Sequence, residues 1–308
     1  MSDNDNGNDN DNDKGKGGRA PGFALALSLA LAAAGVSVAS GCRTGERPLR
    51  VGSKNFSEQV LLGEIIALAL EARGVKVDRR FNLGGTFICH RAIVAGELDL
   101  YPEYTGTAFT AILSQKPVSD PSVVRASVSR EYAKRWDLVW SAPLGFDNTF
   151  ALVVRGEDAR RLGLAKISDL AAHPEFKPGF GYEFVEREDG WKGLARAYGL
   201  AFRQRPAEMD LGLLYPALAS RQVDVVAGNS TDGLIAAQGG VVLEDDRRYF
   251  PPYEAAFVVR GPLLRADARV RAALAVLGGA IDAAAMRALN AAVDRDKRRP
   301  EEVARSAP

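Results

Sequence analysis

The sequence is poor in the residue types that carry nucleophilic, redox and metal chemistry. Its 308 residues include only two cysteines, Cys42 and Cys89, and two histidines, His90 and His173. Cys89 and His90 are adjacent, and neighbouring side chains on a helix point about 100° apart, so they do not form a nucleophile and base pair. Zinc-protease, dithiol, serine-hydrolase and phosphate-loop motifs are also missing from the sequence. We therefore predict no enzymatic activity, no catalytic residue, no metal and no cofactor.

The sequence also lacks an excess of one charge. Forty Lys and Arg oppose 39 Asp and Glu, which gives a net charge of +1 and no basic footprint for nucleic acid. Three carboxylates beside Arg187 form the nearest approach to an acid and base pair: Glu186, Glu188 and Asp189. A charged turn of this kind favours a solvated or capping role for all three.

The first 41 residues are unlike the rest of the chain. Residues 2–18 contain no apolar side chain and are predicted to stay disordered. Arg19 then precedes an uncharged segment whose apolar core, residues 23–39, ends in small residues before Cys42. This pattern is typical of a secretory signal. Residues 1–41 are accordingly interpreted as a tail and a lipoprotein-type signal peptide.

Cys42 lies where a bacterial lipoprotein carries its lipid, so we predict an acylated N-terminus that anchors the protein to a membrane. The alternative is an uncleaved N-terminal helix, because 17 apolar residues are at the short limit for crossing a bilayer. Both alternatives place the folded part outside the cytoplasm, as a periplasmic or cell-surface protein. Cys89 then has no disulfide partner and is expected to be a small buried hydrophobe.

The exported part alternates between strand and helix patterns. The first half predicts strands at residues 49–53, VKVDRRF, ELDLY and LVWSAP, with helices from Ser57 to just before Gly74, at 86–95 and at 119–135. Ser57 is the expected N-cap of the first helix, and Ser119 with Pro121 is expected to open the third. Such alternation is typical of parallel βαβ units, in which binding groups collect at the C-terminal ends of strands.

The second half repeats this pattern and then returns to the first. Predicted strands are TFALVVR, QVDVVAG and GGVVLED, with helices near 190–198, 211–220, 266–277 and 281–293. We predict two α/β lobes, residues 49–146 plus 254–308 and residues 147–253, joined by two crossing strands that act as a hinge. A cleft between such lobes is where a small ligand binds. Asp147 and Asn148, on the first crossing, are expected to be hinge hydrogen bonders or ligand contacts.

Several ordered motifs resemble one protein family. They are GSKNFSEQ, FNLGGT, GELDLYPEYTGT, FDNTFAL, FVEREDG and STDG, and the resemblance runs from about Leu49 to Val303. They look like the glycine betaine, carnitine and choline substrate-binding proteins of osmoprotectant ABC transporters. The resemblance implies a type II periplasmic-binding-protein fold that closes on a zwitterion and presents it to a membrane permease.

The resemblance also implies the site residues. The cage of ring faces around the ligand ammonium falls at Tyr104, Phe150, Asn229 and Tyr253, where the family usually has four tyrosines. Lys54, Thr107 and Arg187 occupy the places of the groups that hold the ligand carboxylate. Phe150 keeps a ring face, whereas the amide of Asn229 offers none to a cation.

The departure at Asn229 leaves three interpretations open. The protein binds betaine weakly, it uses Trp191 or Tyr182 as a substitute ring, or it takes a different zwitterion whose hydrogen-bonding head is served by Asn229. The alternative functions are binding of another zwitterion or an amino acid, and service as a recruited sensor domain.

Overall fold

The computed structural model describes residues 47–307. The predicted tail, the signal peptide and Cys42 lie outside this range. None of the helices in the described range has both the length and the apolar character that a bilayer crossing requires.

The first part of the chain builds most of one lobe. Its elements are β1 (Leu49–Gly52), α1 (Ser57–Glu71), β2 (Val77–Arg80), α2 (Thr86–Val94), β3 (Leu100–Tyr104), α3 (Thr105–Thr107), a π-helical turn (Ala108–Ile112), α4 (Pro121–Trp136) and β4 (Leu138–Trp140).

The middle of the chain builds the second lobe. Its elements are β5 (Phe150–Arg155), α5 (Gly156–Leu162), a 3₁₀ turn (Ile167–Ala172), β6 (Pro178–Gly181), α6 (Tyr182–Glu186), α7 (Trp191–Tyr198), β7 (Ala207–Met209), a second 3₁₀ turn (Leu211–Leu213), α8 (Leu214–Ala219), β8 (Val225–Asn229), α9 (Leu234–Ala237) and β9 (Gly240–Val242).

The last part returns to the first lobe. Its elements are β10 (Ala255–Arg260), α10 (Gly261–Ala266), α11 (Ala268–Leu277), α12 (Ala283–Asp294) and α13 (Pro300–Ala304). The predicted two-lobed α/β architecture is therefore confirmed.

The two sheets share one topology. The first has strand order β2-β1-β3-β10-β4 and the second β7-β6-β8-β5-β9. In each, the first three strands are parallel and the fourth, β10 or β5, is antiparallel to both neighbours. The parallel pairing expected of βαβ units does not extend to these two strands. Each arrives from the other lobe, so it starts at the cleft edge where the parallel strands end.

The crossing segments meet each other between the lobes. Asp147 and Glu254 form an isolated antiparallel bridge, and the backbone N–H of Tyr253 donates to Oδ2 of Asp147 at 2.7 Å. Burial raises the pKa of Asp147 to about 6. This pairing is the paired-strand hinge that the sequence predicts.

Alternation along the strands gives each sheet two buried faces. In β10, Phe257 and Val259 point to the face covered by α1 and the C-terminal helices, and Val258 points to the α2 and α4 face. In β5 of the second sheet, the neighbouring residues Leu152 and Val153 likewise pack into the cores on opposite faces. Strands that are buried on both faces consist of continuous apolar runs, and such runs can be recognised in the sequence.

Three details of the predicted elements are wrong. Ser57 is not an N-cap, because Phe56 holds that position and the Ser57 hydroxyl donates instead to Asp294 on α12. The N-cap of α4 is Asp120 rather than Ser119, since its carboxylate accepts from the backbone of Ser122 and Val123. The strand predicted at ELDLY lies three residues later, as β3.

Candidate ligand-binding cleft

One cavity of about 330 Å³ lies between the lobes at the ends of the central strands. All seven residues predicted for ligand binding contribute to its wall: Lys54, Tyr104, Thr107, Phe150, Arg187, Asn229 and Tyr253. The antiparallel pairing explains this convergence. Tyr104 ends β3 opposite the start of β10, and Phe150 begins β5 opposite Asn229 at the end of β8. The structure thus brings every predicted site residue to one place.

More aromatic rings line the cavity than the sequence predicts. Phe56, the N-cap of α1, stacks on Tyr104 with ring centroids 6.4 Å apart. Phe184 meets Phe150 edge-on at 4.8 Å, and Tyr182, considered above as a substitute ring, also lines the cavity as a residue that is 52% exposed. Phe56 and Phe184 lie inside the quoted motifs NFSEQ and FVEREDG, so the motifs could have indicated them.

Trp191 is not one of the residues that line the cavity. Its indole ring stacks on Phe202 at 5.4 Å and packs against Phe180 at 5.1 Å, within the second lobe. Of the two substitute rings considered for Asn229, only Tyr182 therefore faces the cavity.

Both predicted cations are already paired with buried carboxylates. Nζ of Lys54 lies 2.5 Å from Oε1 of Glu103, with both side chains almost fully buried. Arg187 contacts Asp189 through two hydrogen bonds, Nε to Oδ1 at 2.8 Å and Nη2 to Oδ2 at 2.6 Å. Nη1 of Arg187 remains, 3.3 Å from the hydroxyl of Thr107.

Asp189 is a central buried group rather than a solvated one, so the surface role predicted for it is wrong. Its Oδ2 also accepts from the hydroxyls of Thr110 at 2.7 Å and Tyr253 at 2.5 Å. Burial alone would raise the pKa of Asp189, but the charge and hydrogen bonds of Arg187 hold it below its ordinary value. Asp189 thus stays ionised and links the second lobe to Thr110 on the first.

The protein's cations lie beside the rings of the predicted cage. Cζ of Arg187 is 5.0 Å from the ring centroid of Phe150 and 6.0 Å from that of Tyr253. Nζ of Lys54 is 5.2 Å from the ring centroid of Tyr104. These distances are within the range of cation–π attraction. The residues predicted to bind the ligand ammonium and those predicted to bind its carboxylate therefore lie side by side in the cavity.

Asn229 is held by a neighbouring carboxylate. Its backbone N–H donates to Oδ2 of Asp232 at 2.8 Å, and its Nδ2 lies 3.4 Å from Oδ1. The hydroxyl of Tyr215 also donates to Asp232, at 2.6 Å. Burial raises the pKa of Asp232 to about 6. The weak side-chain bond leaves the Asn229 amide available to the cavity.

A second cross-lobe contact involves the start of α2. Oε1 of Glu183, in the second lobe, accepts from the backbone N–H of Thr86 at 2.5 Å, and Oε2 accepts from the Thr86 hydroxyl at 3.0 Å. A carboxylate at a helix N-terminus satisfies unpaired N–H groups and interacts favourably with the helix dipole. The lobes are therefore joined at the cavity wall, where Glu183 lies, as well as at the crossing segments.

His90 and Cys89 lie away from this cleft, in the core between α2 and α4. The His90 ring contacts Trp136 at 4.5 Å and Tyr132 at 5.4 Å, and burial lowers its pKa to about 4. Cys89 is fully buried, and burial raises its pKa to about 12. Both groups are neutral packing residues, as expected for Cys89 from the sequence.

The family model for the substrate-binding domain of ABC-type glycine betaine transport systems matches residues 47–307. The chain belongs to this family. Its members are extracytoplasmic substrate-binding proteins that serve membrane permeases.

Two known proteins and one solved structure illustrate what the chain is similar to. An ergothioneine transport permease and ergothioneine-binding protein of Helicobacter pylori is 37% identical over 84% of this chain, which spans only 47% of that longer protein. A carnitine transport binding protein of Listeria monocytogenes is 32% identical and matches 83% of this chain and 84% of its own length. The crystal structure of a glycine betaine/carnitine/choline ABC transporter component has a TM-score of 0.70 at 32% identity, covering 84% of this chain and 96% of that one.

Proposed function

We propose that this protein captures a small trimethylammonium carboxylate between its lobes and delivers it to the permease of an ABC importer. The observation that carries the proposal is the convergence of ring faces and cations in one cavity between the lobes. A quaternary ammonium donates no hydrogen bond, so ring faces are its natural partners, at about 0.5 to 2 kcal/mol for each face. Ergothioneine, carnitine and glycine betaine all combine this group with a carboxylate.

The paired cations suit a zwitterion better than a simple anion. Glu103 neutralises Lys54 and Asp189 neutralises Arg187, so neither cation strongly repels a ligand ammonium nearby. Each still has N–H groups that its carboxylate partner does not use, because Lys has three and Arg five. Those remaining donors, with the hydroxyl of Thr107, are proposed to bind the ligand carboxylate.

A betaine with a larger polar head is the second candidate. Two residues with carboxylate oxygens, Asp210 and Glu183, also line the cavity, and both belong to the second lobe. The N–H groups of an imidazole-thione head, as in ergothioneine, could donate to such oxygens, whereas glycine betaine has nothing to donate. This candidate also agrees with the ligand named for the Helicobacter pylori relative.

The deciding experiment is a thermal-shift screen followed by calorimetry. The panel is ergothioneine, carnitine, glycine betaine, choline, ectoine and common amino acids, because a ligand that binds only the folded state raises the melting temperature. We expect a trimethylammonium compound to bind and Tyr104→Ala to abolish the shift. Tyr198→Ala, a tyrosine outside the cavity wall, serves as the control. Binding of an amino acid or ectoine alone would refute the trimethylammonium assignment.

Three further assignments complete the proposal. The lobes divide as residues 49–146 plus 254–308 and residues 147–253.

The protein is anchored outside the cytoplasm by a lipid on Cys42, so Cys42→Ala is expected to move it from the membrane to the soluble fraction. It releases its ligand chemically unchanged, with no enzymatic turnover.

A further inference from the structure

A single carboxylate joins four separate segments of the chain behind the cleft. Glu58, the second residue of α1, is fully buried and accepts hydrogen bonds from four side chains. The donors are the hydroxyl of Tyr104 at 2.7 Å, Nδ2 of Asn148 at 2.8 Å, the hydroxyl of Thr231 at 2.5 Å and Nδ2 of Asn290 at 2.7 Å. We call these five residues the Glu58 cluster.

The Glu58 cluster spans the two lobes and the first crossing between them, so lobe opening must separate some of its members. Tyr104 ends β3 of the first lobe, Asn148 lies on the first crossing, Thr231 follows β8 of the second lobe and Asn290 belongs to α12. Nδ2 of Asn290 also donates to the Thr231 carbonyl at 2.9 Å. Opening the lobes would pull the Thr231 hydroxyl away from Glu58.

Close backbone packing supports this connection independently. Gly233, two residues after Thr231, lies so near α12 that a Cβ atom there would be 2.3 Å from the backbone nitrogen of Ala291. The loop after β8 is therefore seated directly on α12, beside Asn290. Two separate observations place this loop of the second lobe against the first.

The chemistry of the Glu58 cluster matches its geometry. Two carboxylate oxygens accept about four hydrogen bonds, and here each oxygen receives two. Burial raises the pKa of Tyr104 well above its ordinary value, so its hydroxyl stays a donor. The Tyr104 ring is therefore held from behind by hydrogen bonds that run from its hydroxyl to the Glu58 carboxylate, which also accepts from the Thr231 hydroxyl.

We propose that Glu58 is a positioning residue for ligand capture: it orients the Tyr104 ring in the cavity wall and couples that orientation to lobe closure through Thr231. Glu58 itself does not line the cavity, so it acts through Tyr104 rather than on the ligand. This inference rests on the proposed function, because it assumes that the ligand uses the ring of Tyr104.

The test is a double-mutant cycle in ligand affinity. Glu58→Gln, Tyr104→Phe and the double variant are compared with wild-type protein, using the tightest binder among glycine betaine, carnitine and ergothioneine. We expect each single variant to weaken binding about tenfold, and the double variant about tenfold rather than the hundredfold of independent effects. Thr231→Val is expected to speed ligand dissociation.

Glu64→Gln is the matched control. Glu64 is a buried glutamate on the same helix, paired with Arg79 at 2.8 Å, and it does not line the cavity. We expect this substitution to lower the melting temperature while ligand affinity changes less than about twofold. Additive losses in the cycle, or unchanged affinity in Glu58→Gln, would overturn the role of Glu58. Failure of all three compounds to bind wild-type protein would overturn the proposed function, and the inference with it.

Discussion

Asn229 is the residue at which the cavity departs furthest from a ring-lined cage. It stands directly opposite Phe150 in the pairing of β8 with β5, and both line the cavity. Within residues 47–307, the only hydrogen bond of its side chain is the long one to Asp232. Replacing the amide should therefore change the stability of the fold little. Affinity at this position is therefore set mainly by what the side chain offers to the ligand.

Restoring a ring at this position is expected to tighten binding. Asn229→Tyr adds one face to the wall, and we expect the dissociation constant for a trimethylammonium ligand to fall roughly tenfold by calorimetry. Asn229→Ala is the control, since it removes the amide without adding a ring. If the alanine variant loses affinity and the tyrosine variant gains none, the amide binds a polar ligand head and the cage does not use this position.

The sequence predicts the cavity residues well and their partners poorly. Lys54 and Arg187 stand in recognisable motifs, so their place at the cleft follows from the resemblance. Glu103 lies in the same motif as Tyr104. Its pairing with Lys54 could not be predicted from that motif, because the two residues are 49 positions apart in the sequence. Asp189 has the appearance of an ordinary solvated charge in the sequence. Its burial depends on the lobes meeting, which no local pattern encodes.

At the scale of elements, the start of α2 connects the lobes at the wall of the cavity. Gly85 is the N-cap of α2, and a Cβ atom there would lie 1.9 Å from Oε1 of Glu183. Its φ of −83° is accessible to any residue, so glycine is favoured here by the close approach of the Glu183 carboxylate rather than by its backbone conformation.

Filling this space is expected to weaken the closed state. Gly85→Ala displaces the Glu183 carboxylate from the N–H of Thr86, and we expect ligand to dissociate about fivefold to tenfold faster in stopped-flow measurements. Glu183→Gln should have the same effect in smaller degree. Gly212→Ala is the control, because a Cβ atom there meets nothing within 4 Å. Equal dissociation rates in Gly85→Ala and wild-type protein would contradict a closing role for this contact.

Most strands and helices follow from the sequence because their apolar periods are strong, as in the FALVVR strand and the helix from Ser57. Helix starts were harder to predict. Ser119, Asp120 and Pro121 are all acceptable starting residues, and only the hydrogen bonds of the Asp120 side chain decide between them. The antiparallel direction of β5 and β10 does not follow from the sequence pattern either, since strand direction depends on where the preceding segment arrives.

At the scale of the whole molecule, the buried His90 makes stability depend on pH. Its folded-state pKa of about 4 lies below the ordinary 6.5, so the folded protein binds fewer protons than the unfolded chain between these values. The contribution of His90 to stability is therefore complete above about pH 6.5 and is lost as the pH falls towards 4, by up to about 3 kcal/mol.

Replacing this histidine is expected to flatten the acid side of the stability profile. His90→Phe keeps an aromatic ring against Tyr132 and Trp136 and removes the buried Nδ1, which has no hydrogen-bond partner within residues 47–307. Urea unfolding at pH 5 should show a larger gain over wild-type protein than at pH 8. His173→Phe, at the partly exposed histidine, is the comparison. Parallel wild-type and His90→Phe profiles would show that His90 does not titrate on unfolding.

The position of β10 in the first sheet also dictates an order of assembly. This strand lies between β3 and β4, although the entire second lobe is synthesised before it. Domains generally fold as units while the chain emerges, so the second lobe has all its strands when the first still has a gap at its centre. The lobe that begins the chain is thus completed last. Until residue 260 arrives, β3 and β4 expose unpaired edges, which makes the partly made chain a natural client for chaperones.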